Sequence, residues 1–98
     1  MPIVAVFDIP GMTQEQYEAS AEKVAGRPGP VKNPSDWPVP GLISHTSAAT
    51  PEGWLVVDVW ESEEAFRKFG ETIMPILKEL GVKEAKPRIY ETHTVVMR

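Results

Sequence analysis

The sequence predicts an α+β domain of ferredoxin-like β-α-β-β-α-β order, with a four-stranded antiparallel sheet and both helices on one of its faces. Three observations carry the prediction. β-Branched and apolar runs recur over residues 2–9, 42–50, 54–60 and 88–97. A helix-start signature follows the first run, and an apolar repeat at three and four residues follows the third. The 98 residues, 42% hydrophobic and 24% charged, suit one folded domain and are too few for two cores.

The first run, Pro2 to Ile9, alternates Ile3, Ala5 and Phe7 with Val4 and Val6, so both of its faces are expected to be buried, as in a central strand. Pro10-Gly11 ends it. Thr13 then reads as an N-cap, Gln16 completes a capping box, and Met12 is placed to staple onto Tyr17. This helix is expected to reach about Val24, and its thin stripe of Tyr17, Ala21 and Val24 suits it to covering a sheet. Between Ala25 and Gly41 eight of seventeen residues are Gly or Pro, the composition of a long loop that forms either a binding lid or a wrap over one end of the sheet.

Leu42 to Thr50 and Trp54 to Trp60 are the next strands, joined as a hairpin through Pro51-Glu52-Gly53, which reads as a type I turn with Gly53 at positive φ. Ser62 caps the second helix, with Glu63 and Glu64 on the positive end of its dipole. Ala65, Phe66, Phe69, Ile73, Ile76, Leu77 and Leu80 form its apolar face. Pro75 would cost an unbroken helix about 3 kcal/mol, so a break at Gly70 to Thr72 is expected, with Thr72 recapping and Gly81 closing the end. Arg88 to Met97 reads as the last strand.

Ten basic residues against fourteen acidic ones leave a net charge of −4 with no basic cluster, which argues against a nucleic-acid surface. No cysteine is present, so disulfides, thiolate nucleophiles and Cys-type metal sites fall away. The opening MPIVAVFDIP reads as a strand and not as a signal peptide, and no run of 18 apolar residues occurs, so a cytoplasmic protein without a membrane partner is expected. No P-loop, dinucleotide fingerprint or zinc-protease motif is found. The third strand sets Trp54, Val56, Asp58 and Trp60 on one side and Leu55, Val57 and Val59 on the other, and two helices can shelter only one side. A second copy of the sheet is the expected cover, giving a homodimer.

The segment Asp58-Val59-Trp60-Glu61-Ser62-Glu63-Glu64-Ala65-Phe66, with the Pro40-Gly41-Leu42 lead into the second strand, resembles the antibiotic-biosynthesis-monooxygenase group of the dimeric α/β-barrel superfamily. The order of elements agrees over nearly the whole chain. The resemblance implies two ferredoxin-like sheets packed back to back and a pocket in each subunit between sheet and helices. It implies Trp60 and Phe66 as pocket lining, and a choice among cofactor-independent monooxygenase, cyclase, isomerase and haem-binding activities. The long Gly/Pro loop, and Val56 where a polar pocket residue can stand, depart from that group's monooxygenases.

His45 and His93 are the two histidines and the candidates for proton transfer. Each also suits a strand residue hydrogen-bonded at a rim. They fall on the two sheet edges, about 14 Å apart at three strand spacings. Asp58, on an otherwise apolar strand, must be paired, hydrated or protonated. If Pro51 and Glu52 alone form the loop, His45 lies opposite Asp58. If Gly53 is a bulge, which the Pro-Glu-Gly order favours, Thr46 lies opposite Asp58 and His45 turns to the other face. Trp54, Trp60, Tyr17 and Phe66 would line a site for a flat apolar molecule, and Trp37, on the loop, either closes its mouth or docks at the dimer contact. The expected function is binding or transformation of an aromatic, polyketide-like molecule with His45 as base and Asp58 as its orienter, without a cofactor or metal. The alternatives are a non-catalytic binding or dimerisation module and haem ligation through His45 or His93. A cavity above roughly 300 Å³ reaching a histidine and Asp58 would favour the first.

Overall fold

The computed structural model describes residues 1–27, 39–82 and 86–97. Its elements are β1 (Ile3–Pro10), α1 (Gln14–Ala25), β2 (Leu42–Thr50), β3 (Gly53–Trp60), α2 (Glu63–Glu79) and β4 (Arg88–Glu91). The antiparallel sheet has the order β2-β3-β1-β4, so the first and third strands are central, as in a ferredoxin-like fold. Ile3, Ala5, Phe7 and Ile9 pair across from Trp60, Asp58, Val56 and Trp54. These eight side chains share the face against which the helices lie, and with Met12, Phe66 and Leu77 they make the buried core around Asp58.

The opposite face departs from the expectation that both faces of β1 are buried. Val4, Val6, Leu55, Val57 and Val59 are only half-buried within one chain, because both helices lie on the other side.

Helix α1 begins as its sequence dictates. Thr13 accepts from the Gln16 amide at 3.1 Å, and the Gln16 side chain accepts from the Thr13 amide at 3.0 Å. The Gln16 amide nitrogen also donates to the Leu80 carbonyl at 3.3 Å, tying the start of α1 to the end of α2.

Three elements depart from expectation. Helix α2 runs unbroken through Pro75 from its Ser62 cap to Glu79, so Thr72 does not recap it. Pro75 and Glu71, whose carbonyl loses its donor, are both exposed to solvent, while Phe66, Phe69, Ile73 and Leu77 hold the other side of the helix on the core. The helix closes with Val82 and Gly81 amides donating to the Leu77 and Lys78 carbonyls at 2.9 and 3.1 Å.

Strand β4 stops at Glu91 and not at Met97. Its partner β1 begins at Ile3, opposite Glu91, so the ladder runs out of backbone; the Thr92 amide makes a final bond to the Pro2 carbonyl at 3.1 Å. Tyr90, Val95, Val96 and Met97 are exposed in the single chain.

Gly53 is neither a bulge nor at positive φ, and Pro51-Glu52 alone form the loop. Glycine is required at 53 because a Cβ would collide with the Ile9 carbonyl and the backbone of Pro10 and Gly11, where β1 turns away beside it. The irregularity lies instead between Leu42 and Ser44. One extra residue there lets Leu42 and His45, three apart, both face the helices.

Candidate functional site

The two-residue hairpin loop pairs His45 with Asp58 and Ala49 with Trp54. The favoured reading of the turn is thereby overturned. His45 and Asp58 project on the helix side of the sheet, and Nδ1 of His45 lies 2.6 Å from Oδ1 of Asp58. Tyr17 comes down from above. The capping box fixes the start of α1 so that Tyr17, in its first turn, lies over β2 and β3. Its hydroxyl is 2.6 Å from Nε2 of His45. Its ring stacks on Trp54 with centroids 5.1 Å apart and lies parallel to the imidazole within 6°.

The three groups form one chain of hydrogen bonds. Their chemistry sets its direction in the neutral imidazole: the Asp58 carboxylate can only accept, so Nδ1 carries the hydrogen, and Nε2 accepts from the Tyr17 hydroxyl. The Asp58 side chain is 3% exposed and that of His45 16%, so neither bond competes fully with water and the carboxylate contact is of the stronger, charge-assisted kind. Burial pushes the Tyr17 phenol above its ordinary 10.0; a hydrogen bond with Ser47 works against this and the charge of Asp58 adds to it. Tyr17 is thus held as a neutral donor. A carboxylate, an imidazole and a phenol in series can pass a proton from the phenol oxygen to His45 while Asp58 steadies the imidazolium.

Two spaces adjoin this chain. The smaller, of about 50 Å³, is bounded by Phe7, Ile9, Val56 and Leu77 together with Tyr17, His45 and Asp58. The larger, of about 560 Å³, lies between the end of α1 and the start of α2, against Val24, Gly41, Ala65 and Thr72. Phe69 lines both. A space large enough for an aromatic ligand therefore exists, but the relay faces the small one, and one phenyl ring is their common wall. Gly41, at φ 86°, keeps the larger space open beside Ala65, onto which any Cβ at 41 would fall.

Trp60 is fully buried, edge-on to Phe66 at 5.8 Å and against Phe69 at 5.1 Å. Neither Trp60 nor Phe66 is among the described residues lining the two spaces. The indole nitrogens of Trp54 and Trp60 are buried without a hydrogen-bond partner among the described residues. His93 lies exposed beyond the end of β4. Trp37 falls outside the described residues.

Among the described residues no group of three His, Asp or Glu side chains is placed to hold a metal ion. Both ring nitrogens of His45 are engaged, so a metal or haem iron there would have to displace Tyr17 or Asp58. No described helix is long and apolar enough to cross a membrane.

Sequence reasoning placed Tyr17 as lining, not as a proton carrier. Its position as the fourth residue of a boxed helix facing the sheet was the available signal. Ser20, buried one turn on with its hydroxyl donating to the Tyr17 carbonyl at 2.7 Å, carried no such signal.

No family model and no curated protein sequence matches the chain. Solved structures do. A point variant of SnoaB, a cofactor-independent oxygenase from Streptomyces nogalater, aligns with 99% of this chain and 96% of its own at 16% identity and a TM-score of 0.59. SnoaB itself gives 15% and 0.58 over the same shares. The monooxygenase from the gene ActVA-Orf6 of Streptomyces coelicolor, in complex with nanaomycin D, aligns with 99% of this chain and 91% of its own at 22% identity and a TM-score of 0.53. The chain shares the ferredoxin-like fold of these solved structures. At these identities the likeness speaks for architecture, and chemistry has to be argued from the side chains.

Proposed function

We propose that this protein is a homodimeric, cofactor-independent monooxygenase of the cytoplasm that acts on an enolisable aromatic molecule, with Tyr17, His45 and Asp58 as its proton relay. The observation that carries the reading is the continuous chain of two 2.6 Å hydrogen bonds from a buried carboxylate to a phenol, set between sheet and helices. The shared fold with oxygenases described as cofactor-independent supports the class of reaction. The larger space exceeds the roughly 300 Å³ at which small-molecule sites begin, and it holds the body of the substrate. When the Phe69 side chain turns aside, the two spaces join and the acidic edge of the substrate reaches Tyr17.

The steps balance without a cofactor. An activated CH₂ gives a proton to the Tyr17 oxygen as the Tyr17 proton moves to Nε2 of His45. The carbanion adds dioxygen to form a C–O bond, the relay returns the proton to the peroxide, and loss of water leaves a carbonyl. Substrate CH₂ and O₂ become C=O and H₂O. Support for the dimer comes from the half-buried Val4, Val6, Leu55, Val57 and Val59 on the uncovered face.

Oxygen uptake with a 9-anthrone as probe tests the reading: uptake in the wild type that is lost in Tyr17→Phe and His45→Gln is expected, and equal rates in all three contradict it. Sedimentation at micromolar concentration should give twice the chain mass, and a lone subunit contradicts the dimer.

The small volume at the relay favours a second reading, a non-catalytic binding module in which the three groups only satisfy a buried Asp58. In that case the larger space still takes an aromatic ligand, and no variant consumes oxygen.

A further inference from the structure

We infer that the small cavity beside the relay is a site for dioxygen, distinct from the space that takes the organic molecule; the inference rests on the oxygenase reading above. Its volume is about 50 Å³, against about 560 Å³ for the larger space. That is well below the roughly 300 Å³ at which sites for larger organic molecules begin, and it suits a guest of a few atoms. Most of its wall is hydrocarbon, from Phe7, Ile9, Val56 and Leu77.

The polar groups at its edge are turned toward one another. The Tyr17 hydroxyl donates to His45, the His45 Nδ1–H to Asp58, and the Ser20 hydroxyl to the Tyr17 carbonyl. Every hydrogen these side chains can offer is already spent. A water molecule placed there would find no free hydrogen among these side chains, whereas an apolar gas asks for none.

The same geometry changes once the relay holds a proton. With Nε2 of His45 protonated, the imidazole becomes the donor to the Tyr17 oxygen, and the phenol hydrogen is released to point into the cavity. A hydrogen-bond donor thus arises beside dioxygen only after the substrate has been deprotonated, when negative charge begins to develop on oxygen. The resting site favours the neutral gas, and the charged relay favours superoxide or peroxide. Phe69, shared with the larger space, is the contact across which the two reactants meet.

Crystals of the full chain under xenon pressure test the site. One xenon atom among Phe7, Ile9, Val56 and Leu77 is expected; a hydrogen-bonded water at that position, or xenon bound only elsewhere, overturns the inference. Steady-state oxygen uptake with the anthrone gives an independent measure. Val56→Leu, which adds one methylene to the cavity wall, should raise KM for dioxygen several-fold while KM for the anthrone stays fixed. An unchanged KM for dioxygen, or an equal rise in both constants, overturns it. Uptake without xenon at the site refutes only the dioxygen site, whereas no uptake in the wild type refutes the oxygenase reading and the role of the cavity with it.

Discussion

If Tyr17, His45 and Asp58 act as a unit, removing its two ends must cost less together than separately. Tyr17→Phe deletes one hydroxyl and leaves Nε2 of His45 without its donor. A neutral hydrogen bond contributes about 1 kcal/mol net, and an orphaned buried acceptor costs about 1–3 kcal/mol. The 16% exposure of the His45 side chain lets water make up part of this, so a loss of about 1–2 kcal/mol is expected. Asp58→Asn keeps the shape but exchanges a charge-assisted contact, which contributes about 1.5–3 kcal/mol, for a neutral one, again a loss of about 1–2 kcal/mol. In the double variant the imidazole is free to change tautomer and turn its ring, so the second change removes less than it does alone. A coupling of at least about 0.5 kcal/mol is expected from groups sharing one network. Urea denaturation of the four proteins at one protein concentration measures it. Each single change should lower Tm by about 4–16 °C at about 4–8 °C per kcal/mol. Additivity within about 0.3 kcal/mol would refute the chain, because it would mean that Tyr17 and Asp58 do not communicate through His45.

Gly53→Ala places a methyl against the backbone of Ile9, Pro10 and Gly11, which cannot yield as a side chain can, and should destabilise the protein by about 1–3 kcal/mol in thermal unfolding. Pro75→Ala restores a donor to the exposed Glu71 carbonyl in a helix that is already continuous. It should stabilise by about 2 kcal/mol, the roughly 3 kcal/mol helix preference less the unfolded-state advantage of proline; a lowered Tm would show the helix depends on the proline. Tyr17, with its folded-state pKa raised above the unfolded 10.0, binds its proton more tightly when folded. Its contribution to stability is fully present below pH 10 and is lost as pH rises through the higher folded value. Phenolate absorbance at 295 nm should therefore show an ionisation step above pH 10 that Tyr17→Phe removes.

The fold was legible because its signals are local and agree with one another. The Thr13 capping box, the Ser62 cap and the repeat from Phe66 to Leu77 each point to the elements found. What could not be read depends on neighbours distant in sequence. Gly53 suggested a bulge by its place in Pro-Glu-Gly, but it answers to the backbone of β1. The length of β4 was set by where β1 begins, and the continuity of α2 past Pro75 by the packing of its other face. At the site, Asp58 stood out as a lone carboxylate in an apolar strand, and His45 was its partner under one of two turn registers. Tyr17's part needed the third dimension, since only the docking of α1 over β2 brings its hydroxyl to the imidazole.

The ring nitrogens of His45 carry the central claim, and ¹⁵N–¹H correlation spectra of labelled protein at neutral pH read them directly, with the exposed His93 as internal reference. A hydrogen on Nδ1, a bare accepting Nε2, and a shift of Nε2 on Tyr17→Phe are the predicted result. A hydrogen on Nε2, or a His45 spectrum untouched by loss of the phenol, would contradict the account.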